Sequence, residues 1–338
     1  MFLFLIISFF LLLGTLLPKE KQNLYLLISF IILFILSAFR GENVGTDTIN
    51  YKDLFNSFQL NIDWIRLSIE PGWLFLNDVI IFLGGEYRHL IILSSFLTLA
   101  SVFFVAKKYS LNPMLSILAY YLLYFYFYSF NISRQLLAVS IVLVAFLFLI
   151  KNRIFLFAIL IFFASLFHSS ALICLLLILV NKLSGDKYIL SLLSFLSGIV
   201  GLFGYQLISK LAKFSDYESY VLTYEHGNLL GNSLFLVIYQ SFLIFILFTV
   251  KKVTLEVKIF CFYIIFMSIT IRIPFADRLI LYFAAFQILF FPYYLLKQAN
   301  FDKNSRSIAF FLILMFLYII FFRVFGAGEI LPYNNILF

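Results

Sequence analysis

Only 12% of the side chains in this 338-residue chain are charged, and only two residues, Cys174 and Cys261, are cysteine. Both cysteines lie inside apolar runs, so they read as small buried hydrophobes, which leaves no basis for a disulfide framework or a thiolate metal site. The three histidines, His89, His168 and His226, are far apart, and no carboxylates cluster at metal-ligand spacing. The sequence has neither a Walker loop nor a dinucleotide fingerprint, which removes the usual grounds for an ATP-driven or redox enzyme. No internal repeat or soluble domain is evident. The net charge is +8, but the basic residues are scattered singly between apolar stretches. Nucleic-acid binding needs them gathered along a phosphate backbone.

What is abundant is apolar surface: hydrophobic residues make up 64% of the chain, and mean hydropathy is +1.07. A single soluble core of this length could not hide so much of it. Apolar runs separated by charges cover 2–17, 24–39, 89–106, 111–130, 134–150, 154–180, 188–208, 233–250, 258–273, 279–296 and 307–323. Most approach the roughly 20 residues that cross a ~30 Å hydrocarbon core. The first run lacks a positive n-region and a small-residue cleavage site, so it reads as a membrane helix and not as a signal peptide. The run 154–180 is too long for one ordinary span and is interrupted by His168, Ser169 and Ser170. Counted as two short helices meeting at His168, it gives an all-α polytopic protein of about twelve helices with both termini outside. The inner loops then hold fourteen basic and four acidic residues, as the positive-inside rule requires.

Arginine and lysine divide unequally in that topology. The inner fourteen are twelve Lys and two Arg, whereas the outer ten include Arg40, Arg66, Arg88, Arg134, Arg272, Arg278 and Arg323. Topology needs only positive charge. Guanidinium adds a planar fork that binds phosphate in bidentate fashion, so the outer face is suited to an anion. One membrane domain, 1–338, is expected, with outer loops at about 40–88 and 209–232. In the first, Asp47 suits a helix N-cap, with Tyr51, Leu54, Phe55 and Phe58 on one face. Gly72 to Leu83 is too short to span and suits the interface. The second holds Tyr217, Tyr220, Tyr224 and His226.

Four places combine ionisable groups with unusual positions. Arg40 ends the second apolar run and precedes a Gly41–Thr48 turn that suits either a ligand or any tight turn. Arg134 opens a helix, where its charge opposes the dipole but where an anion would meet backbone N–H groups, dipole and guanidinium together. His168 sits at the break in 154–180, either as a polar plug for freed backbone groups or as a base or sugar ligand. Arg272, Asp277 and Arg278 share one turn between spans, where an aspartate can neutralise only one of the two arginines.

Several short motifs lie along the same chain: Phe39-Arg40-Gly41, Val44-Gly45-Thr46-Asp47-Thr48 with Tyr51, Arg134-Gln135 with Ala138, Phe167-His168-Ser169-Ser170, Arg278 with Tyr282-Phe283, and Pro332-Tyr333. Through them the sequence resembles the EpsG-like, Wzy-type family of exopolysaccharide and O-antigen polymerases. The resemblance implies a polyprenyl-phosphate-using glycosyltransferase of GT-C-like architecture at the outer face of the bacterial inner membrane. It would join oligosaccharide repeat units carried on undecaprenyl diphosphate, with no nucleotide, metal or other cofactor, because the donor is already activated. Expected partners are the lipid-linked donor and acceptor and the bilayer, with a flippase and a chain-length regulator as candidate protein partners and no nucleic acid. Arg134, Arg272 and Arg278, with Arg40 sharing, would hold the diphosphate, and Asp47, His168 or Asp277 would supply a base. A lipid-linked oligosaccharide flippase and an O-antigen ligase stand as the alternatives.

Overall fold

A computed structural model describes residues 2–60, 62–203, 229–270, 276–298, 315 and 330–337. Among them the chain is all-helical, with no strand beyond one isolated antiparallel bridge between Arg40 and Asn335. It divides into two compact units. One comprises 1–172, 291–296 and 300–338; the other comprises 173–290 and 297–299.

In the first unit, the helices are α1 (Phe2–Leu16), α2 (Lys19–Ala38), α3 (Thr48–Gln59), α4 (Asp63–Leu67), α5 (Pro71–Phe82), α6 (Tyr87–Tyr109), α7 (Pro113–Leu122), α8 (Phe125–Asn131), α9 (Ser133–Leu149) and α10 (Ile154–Ser165). Local chemistry sets several of their ends. Asn112 caps α7 by accepting from the Leu115 amide at 3.1 Å, with Pro113 in the first turn, where its missing N–H is no loss. Glu86 and His89 form a capping box at the start of α6, and Lys107 and Lys108 complement the dipole at its end.

Lipid gives little hydrophobic drive between helices, so close packing and polar contacts must hold them together. Ser37 of α2 pairs with Ser95 of α6 at 2.8 Å. The hydroxyls of Tyr121 and Tyr126 donate to the carbonyls of Phe4 and Leu33. Phe30 meets both Phe96 and Phe103 edge to face. Outward, α10 presents Phe155, Phe162 and Phe163, a surface that suits lipid and not water.

The second unit holds α11 (Leu176–Lys182), α12 (Lys187–Phe203), α13 (Leu229–Thr249), α14 (Leu255–Thr270) and α15 (Ala276–Ala284). The chain enters it along a 3-10 segment, Ser169–Leu175, and leaves through α16 (Gln287–Tyr293). A buried amide on α13, Gln240, accepts from Ser194 and donates to Ser197 of α12 and Ser268 of α14. Lys258 donates to the carbonyls of Asn181 and Leu183, and Lys187 to that of Val250. These lysines bind helix C-termini, where the dipole favours a cation.

Among the described residues, three helical stretches, Glu20–Ala38, Tyr87–Tyr109 and Arg278–Lys297, are long and apolar enough to cross a membrane. A fourth span arises if α7 and α8, bent by 52° to each other, count as one. Apolar helices of 10–17 residues account for most of the other expected runs. The run 154–180 is broken at His168, as the polar residues there suggested. The run 111–130 is broken as well, at Tyr124, whose φ of 74° is left-handed. Nothing in its apolar sequence marked that break. The expected run 307–323 lies largely outside the described residues, and the expected loop 209–232, with Tyr217, Tyr220, Tyr224 and His226, lies there except for the start of α13.

Candidate functional site

Among the described residues, a cluster of charged side chains forms in the first unit around a residue not singled out in the sequence. Glu70 occupies the N-cap position of α5. One carboxylate oxygen accepts from Arg134 Nη1 at 2.6 Å, and the other lies 3.0 Å from His168 Nδ1. The three side chains are between 18% and 27% exposed, so the cluster is half-buried. Burial alone pushes the Glu70 carboxyl up. The hydrogen bond from His168 and the charge of Arg134 outweigh it and hold the carboxyl at about 2. Glu70 is therefore an anion at any working pH.

Two features of the backbone bring these residues together. Helix α10 stops at Ser165, and the freed carbonyl of Leu166 accepts from the Gly72 amide at 2.7 Å. A Cβ on Gly72 would stand 2.8 Å from that same carbonyl oxygen, so only glycine permits the approach. This contact fixes the start of α5, and with it Glu70, against the break that carries His168. Arg134 comes from the first turn of α9. There its guanidinium meets the Glu70 carboxylate.

The Gly41–Thr48 turn braces the other side. Asn131, just before α9, accepts from the Thr46 amide at 2.9 Å. Gly45 sits below it with φ of 94°, and a Cβ there would come within 2.5 Å of the Asn131 side chain. Gly41 donates to the Asn334 carbonyl. Arg40, expected to share the diphosphate, is buried with its guanidinium over the Phe130 ring at 5.0 Å. It donates to the carbonyls of Ser37 at 2.7 Å and Phe130 at 3.4 Å, and no carboxylate meets it among the described residues. Arg88 in turn donates to the Arg40 carbonyl at 2.6 Å.

Tyr51 of α3 joins the cluster through Arg134, its ring 5.5 Å from that of the buried Trp73. Burial pushes its phenol up, and Arg134, to which it is hydrogen-bonded, pulls it down. Asp47 acts on Tyr51 in the upward direction, which puts this carboxylate near the same group. It holds the N-cap position of α3 without a capping hydrogen bond.

The structure thus gathers Arg134 and His168 on Glu70, with Tyr51 and Asp47 alongside. Arg278 is exposed on α15 of the second unit. The Asp277 side chain and all of Arg272 lie outside the described residues. Among the described residues, no three His, Cys, Asp or Glu side chains come together to hold a metal ion.

The EpsG family model matches residues 23–335, nearly the whole chain and all of this cluster. The chain belongs to the EpsG family. That membership, with the apolar helices, marks it as a membrane protein of the polysaccharide-polymerase type. No curated protein and no solved structure matches it. Within this EpsG protein, Arg134 and His168 were visible in the sequence because each is ionisable and sits where a helix starts or breaks. Glu70 had a weaker signal, an acidic residue before Pro71-Gly72 at the start of a short apolar helix.

Proposed function

We propose that this EpsG protein is a glycosyltransferase that polymerises undecaprenyl-diphosphate-linked oligosaccharide repeat units at the outer face of the bacterial inner membrane. The proposal includes a single membrane domain of about twelve helices with GT-C-like architecture and both termini outside. The growing glycan leaves its lipid diphosphate for a hydroxyl on the next lipid-linked unit. Such a donor needs no nucleotide, and the work left to the protein is to bind a departing anion and to take a proton. The observation that carries the proposal is the half-buried Arg134–Glu70–His168 cluster, which combines a phosphate-binding group and a proton acceptor at a helix break. A guanidinium has five N–H donors, so Arg134 can hold Glu70 and Tyr51 and still offer donors to phosphate oxygens. Arg272 and Arg278 are proposed as further diphosphate-binding residues on the strength of their sequence motif. Arg40 is proposed to share in holding the diphosphate, and it also donates to the Phe130 carbonyl that precedes Arg134. His168, Asp47 and Asp277 are the bases from which the acceptor's partner comes.

The test is polymerisation of purified lipid-diphosphate repeat units by the purified protein, without nucleotide and with chelator present. Arg134→Lys and Arg278→Lys should each lose most of the polymer while the protein stays in the membrane, because lysine keeps the charge but loses the fork. Near-normal chain length in both variants would overturn their diphosphate-binding role. In cells, gene deletion should leave single repeat units on their carrier. Loss of all exported glycan would point to a flippase instead.

A further inference from the structure

We infer that Glu70 and His168 act as a dyad, Glu70 fixing the imidazole so that its Nε2 takes the proton of the acceptor hydroxyl. The inference rests on the polymerase assignment above and singles out one base and its positioning residue.

Hydrogen-bond logic fixes the direction of the contact. An ionised carboxylate only accepts, so the His168 nitrogen 3.0 Å from Glu70 must carry the hydrogen. In the neutral ring the proton then sits on Nδ1 and the lone pair on Nε2. Nε2 has no hydrogen-bond partner among the described residues. Glu70 is ill placed to be the nucleophile itself, because both of its oxygens are already engaged, by Arg134 and by His168. The Arg134 contact has a second consequence: it holds the carboxylate in one orientation and keeps it charged, so the imidazole is aimed by a group that cannot swing away. Gly72, bonded to the Leu166 carbonyl two residues before His168, anchors the other end of the arrangement.

The step balances as follows. The acceptor oxygen forms its bond to the anomeric carbon of the donor while its proton moves to Nε2. The bond from that carbon to the diphosphate oxygen breaks, and its electron pair leaves with the lipid diphosphate. The imidazolium that results faces the Glu70 carboxylate, which stabilises it in the transition state more than in the ground state. The proton then passes to the released diphosphate or to water.

A double-mutant cycle tests the dyad in the same polymerisation assay, using the full-length protein in lipid nanodiscs and reading kcat and KM separately. His168→Ala should lower kcat by about a hundredfold or more, the range typical of a lost general base. Glu70→Gln should lower kcat at least tenfold with KM little changed. In the His168→Ala background, Glu70→Gln should cost less than about threefold more, because residues that act as one unit are not additive. Glu70→Asp, which keeps the charge, should recover part of the Glu70→Gln loss. Losses that multiply, or wild-type turnover in Glu70→Gln, overturn the dyad while leaving the polymerase intact. A wild-type protein that polymerises nothing overturns the polymerase assignment instead, and the dyad with it. If Glu70→Gln fails to reach the membrane, the cycle is run with Glu70→Asp, and the same additivity criterion decides.

Discussion

A carboxylate shared between a guanidinium and an imidazole leaves a signature in the pH dependence of stability. Glu70 has an ordinary value of 4.5 and is held at about 2 in the folded protein. A depressed acid stabilises the fold fully above its unfolded value and loses that contribution as pH falls through its folded value. The window is therefore from about pH 4.5 down to about pH 2. Such a displacement corresponds to roughly 3 kcal/mol, which solvent screening at this half-buried site reduces to about 1–2 kcal/mol. Thermal unfolding in detergent should show a steeper acid loss for wild type than for Glu70→Gln across that window. Equal slopes would mean that the ion pair contributes nothing to the fold. Arg134 and His168 were legible because an ionisable residue at a membrane helix end demands a partner. Glu70 was not, because its partners lie 64 and 98 residues away and sequence spacing carries no trace of them. Arg40 was legible as an anomaly, but its partners Ser37 and Phe130 were not, since main-chain carbonyls leave no mark in side-chain chemistry.

Helix breaks show the same division one level up. The break at His168 follows from Phe167-His168-Ser169-Ser170, a polar interruption in an apolar run that frees backbone groups needing partners. The break at Tyr124 has no glycine or proline to announce it. There a packed set of rings decides the chain's path, with Tyr121 stacked on Tyr126 and Tyr124 against Phe127. Packing of this kind overrides local preference and is invisible to a hydropathy window. The junction between α5 and the His168 break gives the element-scale prediction. Gly72→Ala places a methyl 2.8–3.0 Å from the Leu166 main chain, which cannot yield as a flexible side chain would. The start of α5 must retreat, at a cost of ~1–3 kcal/mol, and Glu70 moves with it. We expect a lower unfolding midpoint and a loss of polymer approaching that of Glu70→Gln. Normal polymer from Gly72→Ala would show that Glu70 holds its place without this contact.

For the whole molecule, composition made the membrane class and the helical fold plain, but sidedness depends on how the segment around His168 is counted. Helix α10 is 12 residues long. At 1.5 Å per residue it reaches about 18 Å, well short of a ~30 Å core. The 3-10 segment and α11 beyond the break, 7 residues each, together reach about 25 Å, also short of it. Two short legs that turn back at His168 put that residue on the outer side and return Ser184 to the inside, with Lys182 and Lys187. A single tilted span would put Ser184 outside and leave His168 at mid-membrane. Single cysteines distinguish the two, in a background with Cys174 and Cys261, both buried, replaced by alanine. Asp53→Cys and Ser169→Cys, at exposed positions, should react in intact cells with a thiol reagent that cannot cross the membrane. Ser184→Cys, also exposed, should react only after permeabilisation. Labelling of Ser184→Cys from outside would reverse the topology of everything that follows it. It would also take His168 off the outer face, where the proposed lipid-linked acceptor would present its hydroxyl.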